Sequence, residues 1–254
     1  MASIFANIPR QCSRSLTVTR TTIPRQTAIP RQTTRCLSST TTCRVSVSGQ
    51  PADIEASPHA KGTAPLTPEM QHYLESALRV NHAGELAATL IYTAQTPPLV
   101  AAYPHLRPLM KHMYDQEAGH FATFNALLAK HRIRPTAMYP VWQVAATALG
   151  WGTAMLGKEA AMACTEAVET EIGDHYNSQV RMLLAWQREV EAKGGDIGDE
   201  LRELIGNIKR IRDEELEHLD HAVEHDAKQA QPYEPLVQVI RGGCRAAIWI
   251  TERV

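Results

Sequence analysis

Two stretches of the sequence carry the same acid and imidazole pattern. Asp115-Gln-Glu117-Ala-Gly-His120 and Asp213-Glu-Glu215-Leu-Glu-His218 both contain Asp-x-Glu-x-x-His. On a helix, residues three apart share a face, so one metal ion can take both the Glu and the His of each pair. Each pair follows a segment with a spare carboxylate: Glu85 in Arg79-Val-Asn-His-Ala-Gly-Glu85, and Glu169 in Ala167-Val-Glu169. Four carboxylates offset two divalent cations in an interior where unpaired charge is costly. One imidazole per metal among oxygen donors suits iron or manganese better than a thiolate-seeking ion.

The order Glu, Glu-x-x-His, Glu, Glu-x-x-His over four helices resembles that of ferritin-like di-iron carboxylate bundles. Six residues form the expected ligand set: Glu85, Glu117, His120, Glu169, Glu215 and His218. Glu166 and Glu171 are alternatives to Glu169, and Glu214 and Glu217 are either outer partners of the site or exposed. Asp115 and Asp213 are either acceptors for the ligand imidazoles or solvated acids, and the two readings stand equal. His82, one turn before Glu85, either touches the site or makes a structural hydrogen bond, and the second is favoured. Tyr176 lies seven residues after Glu169 and returns to nearly the same face, with His175 beside it. Those two are candidates to carry electrons or protons. Gly150-x-Gly152 and Gly157 do not form a dinucleotide fingerprint, since no strand precedes them. Electrons are therefore expected from an external donor.

These donors need helices to hold them. Thr67-Pro68-Glu69 is a helix start, with a hydroxyl cap, Pro in the first turn and an acid after it. The pattern predicts helices over 67–95, stopping before Pro97-Pro98, and over 107–132. A long third helix over 139–192 is expected, with a possible break at Gly150–Gly152. A fourth covers 197–230, and a short helix follows Pro232 and Pro235. No window alternates apolar and polar residues, so the fold class is all-α: a ferritin-like four-helix bundle with additional apolar helices.

The chain has 254 residues, a net charge of −1 and 44% hydrophobic residues, enough for one sizeable core. Its neutrality hides an asymmetry. Residues 1–44 hold seven Arg, fifteen Ser or Thr, and neither Lys nor acid, leaving 19 basic against 27 acidic side chains in the rest. Arg-rich, hydroxyl-rich and acid-free is the composition of an organellar transit peptide. The alternative is a basic arm for nucleic acid or anionic lipid, and no nucleic-acid partner is expected. Ile-Pro-Arg-Gln recurs three times within it, too short to build a repeat domain. Residues 45–66 read as a linker and 67–254 as the metal-binding domain. Three of the five Cys fall in the first segment, and Cys164 and Cys244 fit a reducing compartment.

Residues 135–157 contain no charge over 23 positions, long enough to span a bilayer at about 20 residues. The readings are a Gly/Ala-rich core helix or an apolar face lying in the lipid interface, aided by Trp142, Trp151 and the last helix. Peripheral attachment is expected rather than spanning.

The motifs Arg79–Glu85, Asp115–His120, Leu156-Gly-Lys-Glu-x-Ala-Met-Ala-Cys-Thr165, Arg212–His218 and Gly243-Cys-Arg-x-Ala-Ile248 are together similar to the demethoxyubiquinone hydroxylases of ubiquinone biosynthesis. The similarity covers nearly all the chain after residue 70. It implies a di-iron monooxygenase on the matrix face of the mitochondrial inner membrane, acting at the penultimate biosynthetic step. Its two Fe ions would fall on the six residues above, with Glu169 bridging them. It implies demethoxyubiquinone and O2 as substrates, with NADH or another external electron donor. A lipid-binding partner protein and a multiprotein complex are implied as well. Trp186–Glu200 is longer than the family suggests. A quinol oxidase on the same scaffold, or a non-catalytic iron or quinone carrier, are the rival readings.

Overall fold

The computed structural model describes residues 64–254, and the expectations for residues 1–63, transit peptide and most of the linker, lie outside it. Among the described residues there is no strand. Six helices run in chain order: α1 (Pro68–Ala102), α2 (Arg107–His131), α3 (Tyr139–Leu156), α4 (Lys158–Ala192), α5 (Asp199–Glu224) and α6 (Tyr233–Thr251). Short 3-10 turns at Pro104–Leu106 and Ala227–Gln229 lead into α2 and α6.

Local signals account for most ends. Thr67 Oγ1 accepts from Met70 N at 3.2 Å, which satisfies one of the free amides of the first turn of α1. Gly157, at φ 119°, divides α3 from α4 in a conformation that favours glycine. This corrects the expected single helix over 139–192. Gly150 and Gly152 stay inside α3, and the break falls one turn and a half later. Within Trp186–Glu200, α4 continues to Ala192 and 193–198 connect it to α5.

Three further expectations need correction. Helix α1 does not stop before Pro97-Pro98 but runs on to Ala102. Pro97 is exposed and so is Thr93, whose carbonyl it leaves free, so water can take that group. Directly after Pro98, Leu99 and Val100 are buried, and their packing holds the last turn. Helix α5 ends at Glu224 rather than near residue 230, because Asp226 adopts a left-handed conformation at φ 73°. Pro235 lies within α6, in the first turn where no amide hydrogen is needed.

Helices α1, α2, α4 and α5 carry the expected ligands, with α3 and α6 packed outside them. Two apolar clusters stack along this bundle. One gathers Ile91, Tyr92, Leu99, Met110, Met113 and Met162, and the other Leu78, Phe124, Tyr176, Leu183, Ile205 and Ile208. Each of the four helices begins in one cluster and ends in the other. The acidic layer lies between them.

Gly150 sets the spacing of α1 and α3. A Cβ there would lie 2.5 Å from the carbonyl oxygen of Ile91 and 2.8 Å from its Cα. Backbone cannot yield as a side chain can. We expect Gly150→Ala to lower stability by about 1–3 kcal/mol, or a Tm drop of roughly 2–4 °C per kcal/mol. Gly152→Ala meets nothing within 4 Å and should be neutral or slightly stabilising. Thermal melts of the two variants check this, and equal melting temperatures would refute the contact.

Candidate metal centre

Glu85, Glu117, His120, Glu169, Glu215 and His218 are all buried between the two clusters. They form two overlapping groups: Glu85, Glu117, His120 and Glu215 in one, and Glu117, Glu169, Glu215 and His218 in the other. Within each group the donor atoms lie within 4.8 Å of one another. Glu117 and Glu215 belong to both. Glu85 belongs to one group alone, and so does Glu169, the residue expected to bridge.

Helices α2 and α5 run antiparallel with their Glu-x-x-His pairs crossed. His120 Nδ1 lies 3.0 Å from Glu215 Oε1, and His218 Nδ1 lies 2.9 Å from Glu117 Oε1. These nitrogens and oxygens make no directed hydrogen bond, and neither do Glu85 Oε2 or Glu169 Oε2. With Glu117 Oε2 and Glu215 Oε2, eight buried polar atoms lack a hydrogen bond here, a severe penalty in a site built for stability alone. Arranged in two converging groups of carboxylate oxygen and imidazole nitrogen, they fit a pair of divalent ions.

The outer faces of the imidazoles are held. His120 Nε2 is 2.5 Å from Glu214 Oε2, and His218 Nε2 is 2.8 Å from Gln116 Oε1. Each partner directly precedes the glutamate of the facing pair. This fixes Nδ1 as the inward nitrogen, the usual support for a metal-binding histidine. Asp115 and Asp213 do not have this role. Asp115 pairs with Lys111 and Asp213 with Arg212. Five residues before a histidine lies about 140° round the helix from it, off the shared face.

The terminal carboxylates are held by tyrosines. Tyr92 donates to Glu169 Oε1 at 2.9 Å, and Tyr176 donates to Glu85 Oε1. Tyr92 lies seven residues after Glu85 on α1, and Tyr176 seven after Glu169 on α4. Each tyrosine therefore serves the opposite helix. Tyr92 escaped the sequence reading, although Glu-x6-Tyr occurs in both halves and was the available signal. His175 joins neither donor group. Its Nε2 is buried without a hydrogen bond, and burial pushes its pKa down to about 4, so the ring is neutral. His82 hydrogen-bonds Asn125 at 3.1 Å and packs beside Phe121 and Tyr139. Glu166 binds Lys228 and Tyr233, and Glu171 binds Arg241 and Arg245, so both face α6 and its approach rather than the centre.

Electrostatics follow from burial. Burial, and then the charge of Glu215, holds Glu117 and Glu169 well above the usual carboxylate range, and raises Glu85. Burial also opposes charge on His120 and Glu215. Their mutual approach outweighs it, taking His120 up to about 12 and Glu215 down to about 2. Tyr92 and Tyr176 stay protonated, raised by burial and by the acids beside them.

An apolar cavity of about 370 Å³ adjoins one side of this centre. Glu85, Tyr176 and His175 border it, with Trp142 and Leu149 from α3 and Ile240 and Ile248 from α6. Small residues make the space: Ala83, Gly84 and Ala87 on α1, Ala145 and Ala146 on α3, Gly243 and Ala247 on α6.

Residues 72–251 match the family model described as ubiquinone biosynthesis protein COQ7. The 5-demethoxyubiquinone hydroxylase, mitochondrial, of Saccharomyces cerevisiae is 46% identical over 198 residues, 77% of this chain and 84% of the yeast protein. The NADPH-dependent 3-demethoxyubiquinone 3-hydroxylase, mitochondrial, of Rattus norvegicus is 46% identical over 180 residues, 71% of this chain and 77% of the rat protein. The 3-demethoxyubiquinol 3-hydroxylase of Rhodospirillum rubrum is 39% identical over 195 residues, 77% of this chain and 85% of the bacterial protein. Matched over most of its length by both the family model and these relatives, the chain belongs to the ubiquinone biosynthesis protein COQ7 family.

Proposed function

We propose that this protein is a di-iron monooxygenase that hydroxylates the ring of demethoxyubiquinone, the penultimate step of ubiquinone biosynthesis. The observation that carries the reading is two overlapping buried donor groups, one of which borders an apolar cavity through Glu85. The names of the relatives supply the substrate. Glu85, Glu117, His120 and Glu215 would hold one iron, and Glu117, Glu169, Glu215 and His218 the other. Two ferrous ions bound there supply electrons and a means of activating dioxygen.

The residues of the chain do the rest. Glu117, Glu169, Glu85 and Glu215 balance the metal charge without importing counter-ions. Glu214 and Gln116 keep the imidazole Nδ1 atoms aimed inward. Tyr92 and Tyr176 hold the outer oxygens of Glu169 and Glu85 and keep their own protons. The cavity takes the quinone head and excludes water, and neutral His175 at its wall offers a ring nitrogen to a substrate oxygen. Overall, dioxygen and a reduced nicotinamide with one proton give a ring hydroxyl, water and oxidised nicotinamide. The donor in the rat relative's name is NADPH, whereas the sequence suggested NADH or another external donor.

The mitochondrial names of the yeast and rat relatives, with the composition of residues 1–44, support import through a transit peptide. Matrix-face attachment to the inner membrane is part of the same proposal. Among the described residues no helix is long and apolar enough to cross a membrane. Instead α3 exposes Val144 at 72%, Trp151 at 58%, Met155 at 60% and Leu156 at 73%. Such a face suits the lipid interface, where an insoluble quinone resides. A lipid-binding partner that presents the quinone, within a multiprotein complex, completes the proposal.

Three outcomes test this reading. Iron-loaded protein given a short-tailed demethoxyquinone, NADPH and heavy-isotope dioxygen should yield a quinone with one heavy oxygen by mass spectrometry. Glu169→Ala should lose bound iron and this product while its circular dichroism stays helical. Dioxygen consumed with the quinone unmodified would favour an oxidase, and iron bound without any turnover would favour a carrier.

The second outcome concerns pH. Glu85, Glu117 and Glu169 are raised in the folded state, so their contribution is full below the ordinary value of 4.5 and is lost as pH climbs. His120, raised from 6.5 to about 12, adds loss in the same direction once pH passes 6.5, while Glu215, lowered from 4.5 to about 2, gains stability only up to 4.5. Metal-free protein should therefore lose melting temperature from mildly acidic to neutral pH, and ferrous iron should remove the loss. A flat profile without metal would contradict it.

Third, Met155→Glu with Leu156→Glu should abolish co-flotation with anionic vesicles and leave the thermal melt unchanged. Undiminished flotation would place membrane contact elsewhere.

A further inference from the structure

We infer that His112, Glu217 and His221 form a third, surface site for a divalent transition metal, separate from the buried centre. His112 comes from α2, and Glu217 and His221 lie one turn apart on α5. Their donor atoms all fall within 4.8 Å of one another. The site continues the α2–α5 seam. His120 faces Glu215 and Glu117 faces His218 across that antiparallel pair, and farther along the same two helices His112 and His221 approach with ring centroids 6.3 Å apart. The helical rise puts this rung about 5–8 Å beyond the Glu117–His218 rung.

The donors are free to bind. Among the described residues neither His112 nor Glu217 makes a hydrogen bond, and no Lys or Arg pairs with Glu217. His221 Nε2 lies 3.6 Å from Glu217 Oε1, while its Nδ1 lies 3.6 Å from Glu224 Oε2. A carboxylate behind one ring nitrogen, with the other turned to the donor cluster, is the arrangement that supports metal-binding histidines. Two imidazoles and one carboxylate suit Zn2+ or a similar ion, which takes donors at about 2.0–2.2 Å. In a tetrahedron that places them about 3.3–3.5 Å apart, within a small side-chain rotation of the present spacing. His112 and Glu217 are exposed and His221 half-buried, so water can complete the coordination. An ion held here ties α2 to α5, the two helices that carry the Glu-x-x-His pairs.

The test is a zinc count on the full-length chain, stripped of metal and dialysed against zinc. Wild type should retain one equivalent more than His112→Ala or His221→Ala, and His112→Ala, whose altered side chain is exposed, should keep the wild-type metal-free melt. Glu224→Gln should keep that equivalent but bind it about tenfold more weakly. Equal zinc in wild type and both alanine variants would overturn the site. The difference is read against an unchanged buried centre, so it stands or falls independently of whether that centre holds iron.

Discussion

Burying four carboxylates and two imidazoles in one apolar bundle is the constraint on which the rest depends. Left alone, such a layer resists folding: its acids are driven toward protonation, and eight of its polar atoms make no hydrogen bond. Two features offset this. The paired approach of His120 to Glu215 keeps one ion pair inside, and the flanking apolar clusters hold the helices at the spacing the layer requires. Each of α1, α2, α4 and α5 is anchored at both ends by hydrophobic burial, so no helix can slide to relieve the acidic middle. The site is thus held by burial on either side of it more than by its own contacts.

How much of this was legible depends on the range of the interaction. The Glu-x-x-His pairs were readable because three-residue spacing is a property of one helix, and the same is true of Thr67 as a cap. The partners of the imidazoles were not. Gln116 and Glu214 act across the seam, and no spacing along one helix pairs either with the imidazole of the other until the antiparallel register is known. Helix ends failed where tertiary packing overrode a local signal. Pro97-Pro98 reads as a stop, yet Leu99 and Val100 have a core to enter. Gly150 reads as a break, yet its missing side chain is needed for Ile91 to approach.

The crossing of Tyr92 and Tyr176 shows a further regularity. Glu85 and Tyr92 on α1 face Tyr176 and Glu169 on α4, so one seven-residue spacing, used twice in antiparallel helices, satisfies both terminal carboxylates. Helices α2 and α5 repeat the logic with Gln116 and Glu214. The centre therefore has an approximate two-fold arrangement built from local repeats, although no long sequence repeat announces it.

That symmetry is broken by what surrounds it. Tyr92 and Glu169 are enclosed by the cluster of Ile91, Met110, Met113 and Met162, whereas Glu85 and Tyr176 border the cavity. The difference comes from side-chain size and from α3 and α6. Ala83, Gly84 and Ala87 leave α1 bare, and the outer helices roof the gap with Trp142, Leu149 and Ile248 instead of filling it. On the proposed reading, a substrate reaches the metals from the Glu85 side alone. The group beside Glu85 is then the one whose coordination must admit the reacting ring, and the group beside Glu169 is the one shielded from it. The same opening lies between α3, whose outward face is apolar, and α6, which exposes Val239 and Trp249 beside Arg245. If those faces meet lipid as proposed, a path to the acidic layer runs through small residues without exposing that layer to water.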